Sequence, residues 1–282
     1  METLSSKDRY LIELIDGLGI DYEFERSYKI CEGILLGNRF LAGISTKNLG
    51  PEPHTVIRQI CERIDIPLTF LEALEDNLAE ASYIFFGFEE SQSSRTYKAY
   101  LEYWEKCQAE AKAKPGSRES FLLYLGFKWN AQNNTKRALT EYVYRPYLSF
   151  EEIHTRVADV FQTQKDGRPL QIAGDFLKVV SQRITSDQVL YLDVTEENNP
   201  RKSFDINVYK AGMLLKELYP VLQKIFNHFA VPAEKFHDLY NPFRTRKFGH
   251  LSGGIGRDGK EFFTIYFAPQ KIAKSDNLAH GQ

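Results

Sequence analysis

The sequence predicts an α+β protein in which a closed, ten-stranded antiparallel β-barrel is covered by helices on its outside. Five pairs of aromatic and β-branched runs flank polar turns, as in β-hairpins, and helical patterns separate the pairs. Ten antiparallel strands in one sheet need their edges protected, and closure into a barrel achieves this. Helices outside would leave the polar face of each strand to a lumen, and the whole chain, 1–282, is predicted to form one domain.

The elements follow in chain order. A first helix ends near Gly17, and further helical patterns cover roughly 54–64, 69–80, 104–113, 149–163, 171–183, 211–229 and 233–240. Four strand pairs cover 82–90 with 95–103, 121–129 with 138–144, 188–195 with 203–209 and 249–255 with 261–267, and a weaker first pair reads KICEGILLG and RFLAGIS. Ser149 and Glu152 form a capping-box signature. The glycines of 254–259 match a dinucleotide fingerprint, but a strand follows them, so they predict a hairpin turn.

Composition excludes several classes of function. Lys and Arg total 36 against 38 Asp and Glu, and this balance argues against a nucleic-acid partner. Three widely spaced cysteines and six scattered histidines indicate neither a disulfide framework nor a metal site. Charges throughout residues 1–20 argue against a signal peptide, and no apolar run is long enough to span a membrane. The expectation is a soluble, cytoplasmic protein.

Strand alternation predicts which side chains enter the lumen. Four second strands repeat a polar residue two positions before a tyrosine, and other tyrosines and basic residues share this inward parity. The repeated pairs are Lys98/Tyr100, Thr140/Tyr142, Asn207/Tyr209 and Thr264/Tyr266; the others are Tyr83, Tyr124, Tyr191, Arg39, Lys128 and His250. An ordinary sheet with its polar face in water is the alternative. Four repeats of one pattern favour a lumen lined by tyrosines and cations.

Such a lumen suits an allylic diphosphate. Lys and Arg bind diphosphate oxygens through charge-assisted hydrogen bonds, and aromatic faces stabilise an allylic cation. A carboxylate is expected to accept the proton that the acceptor loses. The candidates for this base are Glu32, Glu89, Glu102, Asp193 and Asp205.

The segments KAY (98–100), NVY (207–209) and TIYFAP (264–269) resemble the lumen motifs of the soluble aromatic prenyltransferases of the ABBA family. The resemblance covers roughly 25–270 and implies a barrel of five αββα repeats. It implies transfer of a dimethylallyl or geranyl group from its diphosphate to an electron-rich aromatic small molecule, without a nucleic-acid or membrane partner. Diphosphate would be bound by Arg39, Lys98, Lys128, Asn207, Tyr100, Tyr142, Tyr209 and Tyr266, and the acceptor by Tyr83, Tyr124, Tyr191 and His250.

The sequence also departs from the family pattern. The third repeat of the family often carries Arg-x-Lys-x-Tyr, where this chain has Ala138, Thr140 and Tyr142, so Lys128 across the hairpin is the candidate replacement. Leu41 stands where magnesium-dependent members have an Asp; no cofactor is required by the sequence, and Mg²⁺ stays open. There is no DDxxD motif, which argues against a terpene cyclase. A peptide side chain as acceptor, or a non-catalytic barrel that binds an aromatic ligand or peptide, are the alternatives.

Overall fold

The computed structural model describes residues 8–91 and 94–273, and its central feature is a ring of antiparallel strands. The strands are β1 (Tyr22–Cys31), β2 (Ile34–Leu36), β3 (Arg39–Ser45), β4 (Tyr83–Glu90), β5 (Arg95–Glu102), β6 (Phe121–Asn130), β7 (Arg137–Arg145), β8 (Leu190–Glu196), β9 (Lys202–Asn207), β10 (Phe248–Ile255) and β11 (Glu261–Ile272). From β3 to β11 each strand pairs with the next, and β11 pairs with β1. The predicted closed ten-stranded barrel is confirmed, with β2 as a further strand outside the ring.

Strand β1 closes the ring because it has partners along both edges. On one edge Glu23–Arg26 pairs with β3, and Lys29–Cys31 pairs with the short β2. On the other edge β11 pairs with β1 from Tyr22 to Ile30. The last strand of the barrel therefore has no free edge at which another chain could add a strand.

The helices lie outside the barrel and between its hairpins. They are α1 (Asp8–Asp16), α2 (Pro53–Arg63), α3 (Leu68–Leu78), α4 (Trp104–Ala113), α5 (Phe150–Phe161), α6 (Arg168–Ser181), α7 (Tyr219–His228) and α8 (Ala233–Tyr240). One buried cluster packs α2 and α3 on the outer faces of β3–β6, with Leu74 and Phe86 fully buried. A second packs α5–α8 on β9–β11, with Phe204 and Phe263 fully buried. The apolar face of the barrel is thus its outer face, and the polar face encloses the lumen.

The first hairpin differs from the prediction. KICEGILLG was predicted as one strand, but Gly33 has a left-handed φ of +66° and turns the chain. The segment is therefore divided between β1 and β2, and β1 begins earlier than predicted, at Tyr22. Most of β1 is therefore sequence that was not predicted to form a strand.

The chain after β9 also differs. The helix predicted for 211–229 begins only at Tyr219, because Gly212 has a left-handed φ of +60° and short 3-10 turns precede it. β9 ends at Asn207, so Tyr209 follows the strand instead of belonging to it. The lumen residue expected at the end of this strand comes from the first of those turns.

Two local predictions are confirmed. The Ser149 hydroxyl accepts a hydrogen bond from the Glu152 N–H, and the Glu152 carboxylate accepts one from the Ser149 N–H, which caps α5. The glycine-rich segment after β10 closes a hairpin, with Gly259 at a φ of +74°. In the part of the chain that the structure describes, no helix has the length and apolar character needed to cross a bilayer.

Candidate active site

The lumen of the barrel holds two cavities. One, of about 360 Å³, lies at the end formed by the turns within the hairpins, and the other, of about 570 Å³, lies at the opposite end. We name them the cationic cavity and the acidic cavity after the charged side chains that line them. Tyr100, Tyr142 and Tyr266 line both, so a layer of tyrosines lies where the two cavities meet.

Strand β5 runs through the whole lumen. Its inner face carries Lys98 at the cationic cavity, Tyr100 at the tyrosine layer and Glu102 at the acidic cavity. Its outer residues Ala99 and Leu101 are fully buried under the helices. One strand of ordinary alternation therefore presents a base, an aromatic ring and an acid in order along the lumen.

Basic side chains converge on the cationic cavity from strands and from hairpin turns. They are Lys29, Arg39, Lys98, Lys128, Lys136, Arg201 and Arg257. The carboxylates that line the same space are those of Glu89 and Asp258. This excess of positive charge at a partly enclosed site favours a polyanionic ligand.

Glu89 contacts two of the basic residues, Lys98 and Arg39, and the guanidinium of Arg39 keeps N–H groups without a partner in the described part of the chain. Lys98 Nζ donates to Glu89 Oε2 over 2.7 Å, and Arg39 Nη2 lies 3.4 Å from the same oxygen. The Nε and Nη1 atoms of Arg39 are buried and have no hydrogen-bond partner among the described residues. Because a buried guanidinium normally satisfies its N–H groups, these two donors are available to a bound anion.

The protonation of Lys98 depends on its surroundings. Burial, together with the nearby Arg39 and Lys29, lowers the pKa of Lys98 to about 7, against the opposing effect of Glu89. An anion in the cavity would favour the protonated ammonium and raise this pKa. Lys98 therefore becomes more fully positively charged when the cavity binds an anion.

Three other basic side chains gather on Glu196, the last residue of β8. Arg201 Nη1 and Arg257 Nε each lie 2.5 Å from its carboxylate oxygens, and Lys128 Nζ lies at 3.6 Å. Burial would raise the pKa of Glu196, but Arg257, Lys128 and Arg201 hold it well below its usual range. Glu196 is therefore an ionised carboxylate inside a cluster of cations.

The tyrosine layer consists of neutral rings. Tyr100 and Tyr142 meet edge to face with ring centres 5.8 Å apart. Gly126 makes room for them, since a Cβ there would lie 2.8 Å from the Tyr100 ring. Burial raises the pKa of Tyr100, Tyr142 and Tyr266, so all three keep their hydroxyl protons. Aromatic faces therefore lie directly beside the cationic cavity.

The acidic cavity combines carboxylates with a mainly apolar wall. The carboxylates are those of Glu23, Glu25, Glu102 and Asp205, and the wall includes Leu41, Phe85, Tyr124, Leu190 and Leu192. Burial raises the pKa of Glu102 to about 7, against the opposing effect of the nearby Tyr124 hydroxyl. Near neutral pH, this carboxyl group can both accept and release a proton.

A second acidic group surrounds His250. Its Nδ1 lies 2.8 Å from both oxygens of Asp205, and its Nε2 lies 3.4 Å from Glu25. The Tyr209 hydroxyl donates to Glu25 over 2.6 Å, and Gly249 leaves the space for this contact. Burial alone would lower the pKa of His250, but Asp205 and then Glu25 raise it to about 10. An imidazolium ion is therefore shared by two carboxylates.

The barrel matches solved structures over most of its length. A 5-dimethylallyltryptophan synthase from Streptomyces coelicolor superposes with a TM-score of 0.63 at 12% identity, covering 94% of this chain and 92% of that chain. PriB, solved with its product diphosphate, superposes at 0.60 and 12% identity, covering 87% and 79%. A 6-dimethylallyltryptophan synthase from Micromonospora olivasterospora, solved with DMASPP and Trp, gives 0.58 at 14% identity, covering 87% and 81%.

The chain has the prenyltransferase-barrel fold. The resemblance in fold that the repeated motifs indicated is thereby confirmed. No protein-family model and no curated protein matches the sequence. At 12–14% identity the likeness establishes the fold of the barrel, and the chemistry has to be argued from its own residues.

The predicted diphosphate residues of this prenyltransferase barrel are distributed over both cavities. Arg39, Lys98 and Lys128 line the cationic cavity, and Tyr100, Tyr142 and Tyr266 form the layer. Asn207 and Tyr209 line the acidic cavity instead, together with the predicted acceptor residues Tyr124 and His250. Tyr83 lines neither cavity, but its ring stacks on Phe85, which lines the acidic one.

Strand β8 of the prenyltransferase barrel has the opposite parity to the one predicted. Tyr191 is buried in the outer core, and Asp193 pairs with Arg145 and with Arg156 of α5, so both face the helices. Leu190 and Leu192 line the lumen in their place. The prediction that Tyr191 and Asp193 enter the lumen is therefore wrong.

The remaining base candidates are also separated. Glu32 lies in the turn after β1, where it is 77% exposed and pairs with Lys260, and it lines neither cavity. Glu89 lies among the cations, whereas Glu102 and Asp205 lie in the acidic cavity. Of the five carboxylates, Glu102 is the one in the acidic cavity whose pKa lies near neutrality.

Several lumen residues were not identified from the sequence. They are Lys29, Glu25, Glu196, Arg201 and Arg257. Glu25, Ser27 and Lys29 lie on the inner face of β1. An earlier start for that strand would have identified Glu25, whereas Lys29 was inside the predicted strand but was not assigned to the lumen. Arg201 and Arg257 lie on hairpin turns, where strand parity gives no information about direction.

Proposed function

We propose that this prenyltransferase barrel transfers an allylic prenyl group from its diphosphate to an electron-rich aromatic acceptor. The observation that carries the proposal is the arrangement of the lumen: an anion-binding cavity and an aromatic-walled cavity meet at a layer of tyrosines. Solved barrels of this fold support it, since one was solved with its product diphosphate and another with DMASPP and Trp.

The diphosphate group of the donor would occupy the cationic cavity. Arg39 offers two unpaired N–H groups there, and Lys98 and Lys128 offer ammonium groups that an anion would keep protonated. When the bond between carbon and the bridging oxygen breaks, negative charge develops on the leaving diphosphate. Fixed donors already directed at that position stabilise the charge without reorganisation.

The allylic fragment would lie against the tyrosine layer. Tyr100, Tyr142 and Tyr266 offer the faces of uncharged rings, which attract a cation and exclude water. The acceptor ring would lie on the other side, in the acidic cavity, and attack the allylic carbon from there. The new carbon–carbon bond replaces the broken carbon–oxygen bond, and the ring then loses a proton to a carboxylate.

Glu102 is the proposed proton acceptor. It lies in the acidic cavity two residues beyond Tyr100 on β5, and its pKa of about 7 suits proton transfer at neutral pH. Asp205 and Glu25 are instead engaged by the ring of His250.

Magnesium is assigned no role in the proposal. Leu41 lines the acidic cavity at the position where magnesium-dependent members of the family carry an Asp, and its side chain cannot bind a metal. The basic side chains of the cationic cavity would neutralise the diphosphate charge instead. Turnover in the presence of excess EDTA is the expected result, and turnover that requires added Mg²⁺ would contradict this part of the proposal.

A peptide side chain as acceptor is the second candidate. The acidic cavity is open, because exposed residues line it: Trp104 is 36% exposed and Tyr209 is 40% exposed. An aromatic side chain of a peptide could therefore enter while the rest of the peptide stays outside. Peptides with Trp or Tyr in the acceptor panel below separate this candidate from a small-molecule acceptor.

The test combines binding with turnover. Dimethylallyl and geranyl diphosphate are each incubated with phenols, indoles and aromatic peptides, and products are detected by mass spectrometry as a gain of the prenyl mass. Binding of dimethylallyl thiolodiphosphate is measured separately by calorimetry. Binding with turnover of any acceptor supports the proposal. Inorganic diphosphate is titrated in the same way. If both dimethylallyl thiolodiphosphate and inorganic diphosphate fail to bind, the barrel is a non-catalytic binding protein and the proposal is wrong.

A further inference from the structure

Glu196 has contacts that no ligand role explains. Its side chain is fully buried, and it lines neither cavity. Its two carboxylate oxygens nevertheless bind Arg201, Arg257 and Lys128. All three of these basic residues line the cationic cavity. The residue therefore touches the groups that surround the cavity without reaching the cavity itself.

The three cations come from separate parts of the fold. Lys128 belongs to β6, Arg201 to the turn between β8 and β9, and Arg257 to the turn between β10 and β11. Each arginine has many side-chain rotamers, and three like charges in a partly buried space repel one another. A common carboxylate removes both problems, because it fixes the direction of each side chain and offsets the repulsion.

Thr140, on β7, also binds Glu196. Its hydroxyl donates to Glu196 Oε1 over 3.1 Å, and the residue is fully buried. In the family that the sequence resembles, the position of Thr140 often carries a lysine. Here the Thr140 hydroxyl instead donates to Glu196, the carboxylate that binds the two turn arginines. The positive charge missing from β7 is thereby supplied from two turns.

We propose that Glu196 is a positioning residue for the donor diphosphate, which acts through Lys128, Arg201 and Arg257 and does not touch the donor. The inference rests on the proposed function of the cationic cavity. It has a distinctive consequence for charge. Removing a negative group beside an anion site should tighten anion binding if only net charge mattered, but removing this one should weaken it.

Asp258 provides the matched control. Its carboxylate also lines the cationic cavity, it is exposed, and it accepts a hydrogen bond from the Lys260 N–H that an asparagine side chain can also accept. Glu196→Gln and Asp258→Asn each replace one carboxylate by an amide of the same shape. They differ in whether the carboxylate organises the basic side chains of the cavity.

The experiment measures binding of inorganic diphosphate to the full chain by titration calorimetry at pH 7. Glu196→Gln is expected to weaken binding by about tenfold or more, as when one partner of a buried charge pair is removed. Asp258→Asn is expected to bind as tightly as the parent or more tightly. Titrations in two buffers of different ionisation enthalpy also report proton uptake. Glu196→Gln should take up more protons than the parent, because Lys128 loses the carboxylate that favours its charged form.

Thr140 variants keep the test decisive if Glu196→Gln does not fold. Thr140→Val removes the hydrogen bond to Glu196 and should weaken diphosphate binding about threefold, whereas Thr140→Ser keeps the hydroxyl and should restore it. If diphosphate binds the parent but binds Glu196→Gln or Thr140→Val equally well or better, the positioning role is overturned and the proposed function stands. If diphosphate does not bind the parent at all, both are overturned.

Discussion

The two ends of the lumen arrange their charges in opposite ways. At the cationic end, each buried carboxylate is shared by several basic groups: Glu89 by Lys98 and Arg39, and Glu196 by three others. At the acidic end the reverse holds, because the two carboxylates of Glu25 and Asp205 share a single imidazolium ion. The ends therefore have opposite net charge, with neutral tyrosine rings between them.

This difference has a consequence for the proposed chemistry. When an allylic diphosphate ionises, the two fragments attract each other and can recombine. A lumen that is positive at one end and negative at the other holds the diphosphate in place and favours movement of the carbon fragment towards the acceptor. Opposite charge at the two ends would thus oppose recombination, and each prediction below alters one end or the balance between them.

The largest effect is expected for Lys98→Ala at the cationic end. The substitution removes a buried ammonium that lies beside the unpaired donors of Arg39. Loss of one such preorganised donor lowers turnover by about 10²–10³-fold. Prenyl transfer and diphosphate binding are measured, with circular dichroism to confirm folding. The control is Lys47→Ala, which removes an exposed lysine that pairs with Glu105. Full activity in Lys98→Ala would remove the central assumption about this cavity.

Much of the cationic end was predictable from the sequence, because strand alternation determines direction. Lys98 and Lys128 follow the period of two within well-marked strands, Arg39 follows it in a weaker one, and all three enter the lumen. The turn residues Arg201 and Arg257 were not predictable in this way. A long side chain on a turn can reach into the barrel or into solvent, and only the position of Glu196 decides which.

The acidic end was less predictable. Alternation divides strand β8 into an aliphatic face, Leu190, Leu192 and Val194, and a face with Tyr191, Asp193 and Thr195. A polar lumen favoured the face with the tyrosine and the carboxylate, but the aliphatic face is the one that faces the lumen. Tyr209 enters the acidic cavity from a turn, not from β9, and meets Glu25 on a strand that carried no prediction there. Glu102 was identified because it continues the regular inner face of β5.

Glu102→Gln tests the acidic end. The amide keeps the shape of the side chain but cannot accept the proton of the acceptor, so the rate at saturating donor and acceptor should fall about 10²-fold. In the parent, the carboxylate form is present above a pKa of about 7, so the rate should rise with pH through 7. This rising limb should vanish in Glu102→Gln. A limb that survives the substitution would assign the proton acceptor to another group.

The pH dependence of diphosphate binding tests the cationic end without any substitution. The pKa of free Lys98 is about 7, which is below its ordinary value, and an anion raises it. Affinity should therefore be full below pH 7 and should fall as pH rises above 7, by up to about tenfold per pH unit. Calorimetry between pH 6 and 9 measures this, and Lys98→Ala should show a shallower decline. Affinity that is independent of pH would show that Lys98 does not bind the anion.

The smallest expected effect concerns the charge of the acceptor. The acidic cavity is lined by four carboxylates, those of Glu23, Glu25, Glu102 and Asp205. Lys271 also lines it, but its ammonium pairs with Asp21 and not with one of these four. Tryptamine, 3-ethylindole and indole-3-propionate share a ring and a two-carbon chain but differ in charge. With dimethylallyl thiolodiphosphate bound, affinity should decrease in that order, by about threefold to tenfold per step, because several of these carboxylates are partly in water. The preference should weaken at high salt. The reverse order would mean that the negative charge of this end is screened from the acceptor, and that the polarity of the lumen serves the allylic cation alone.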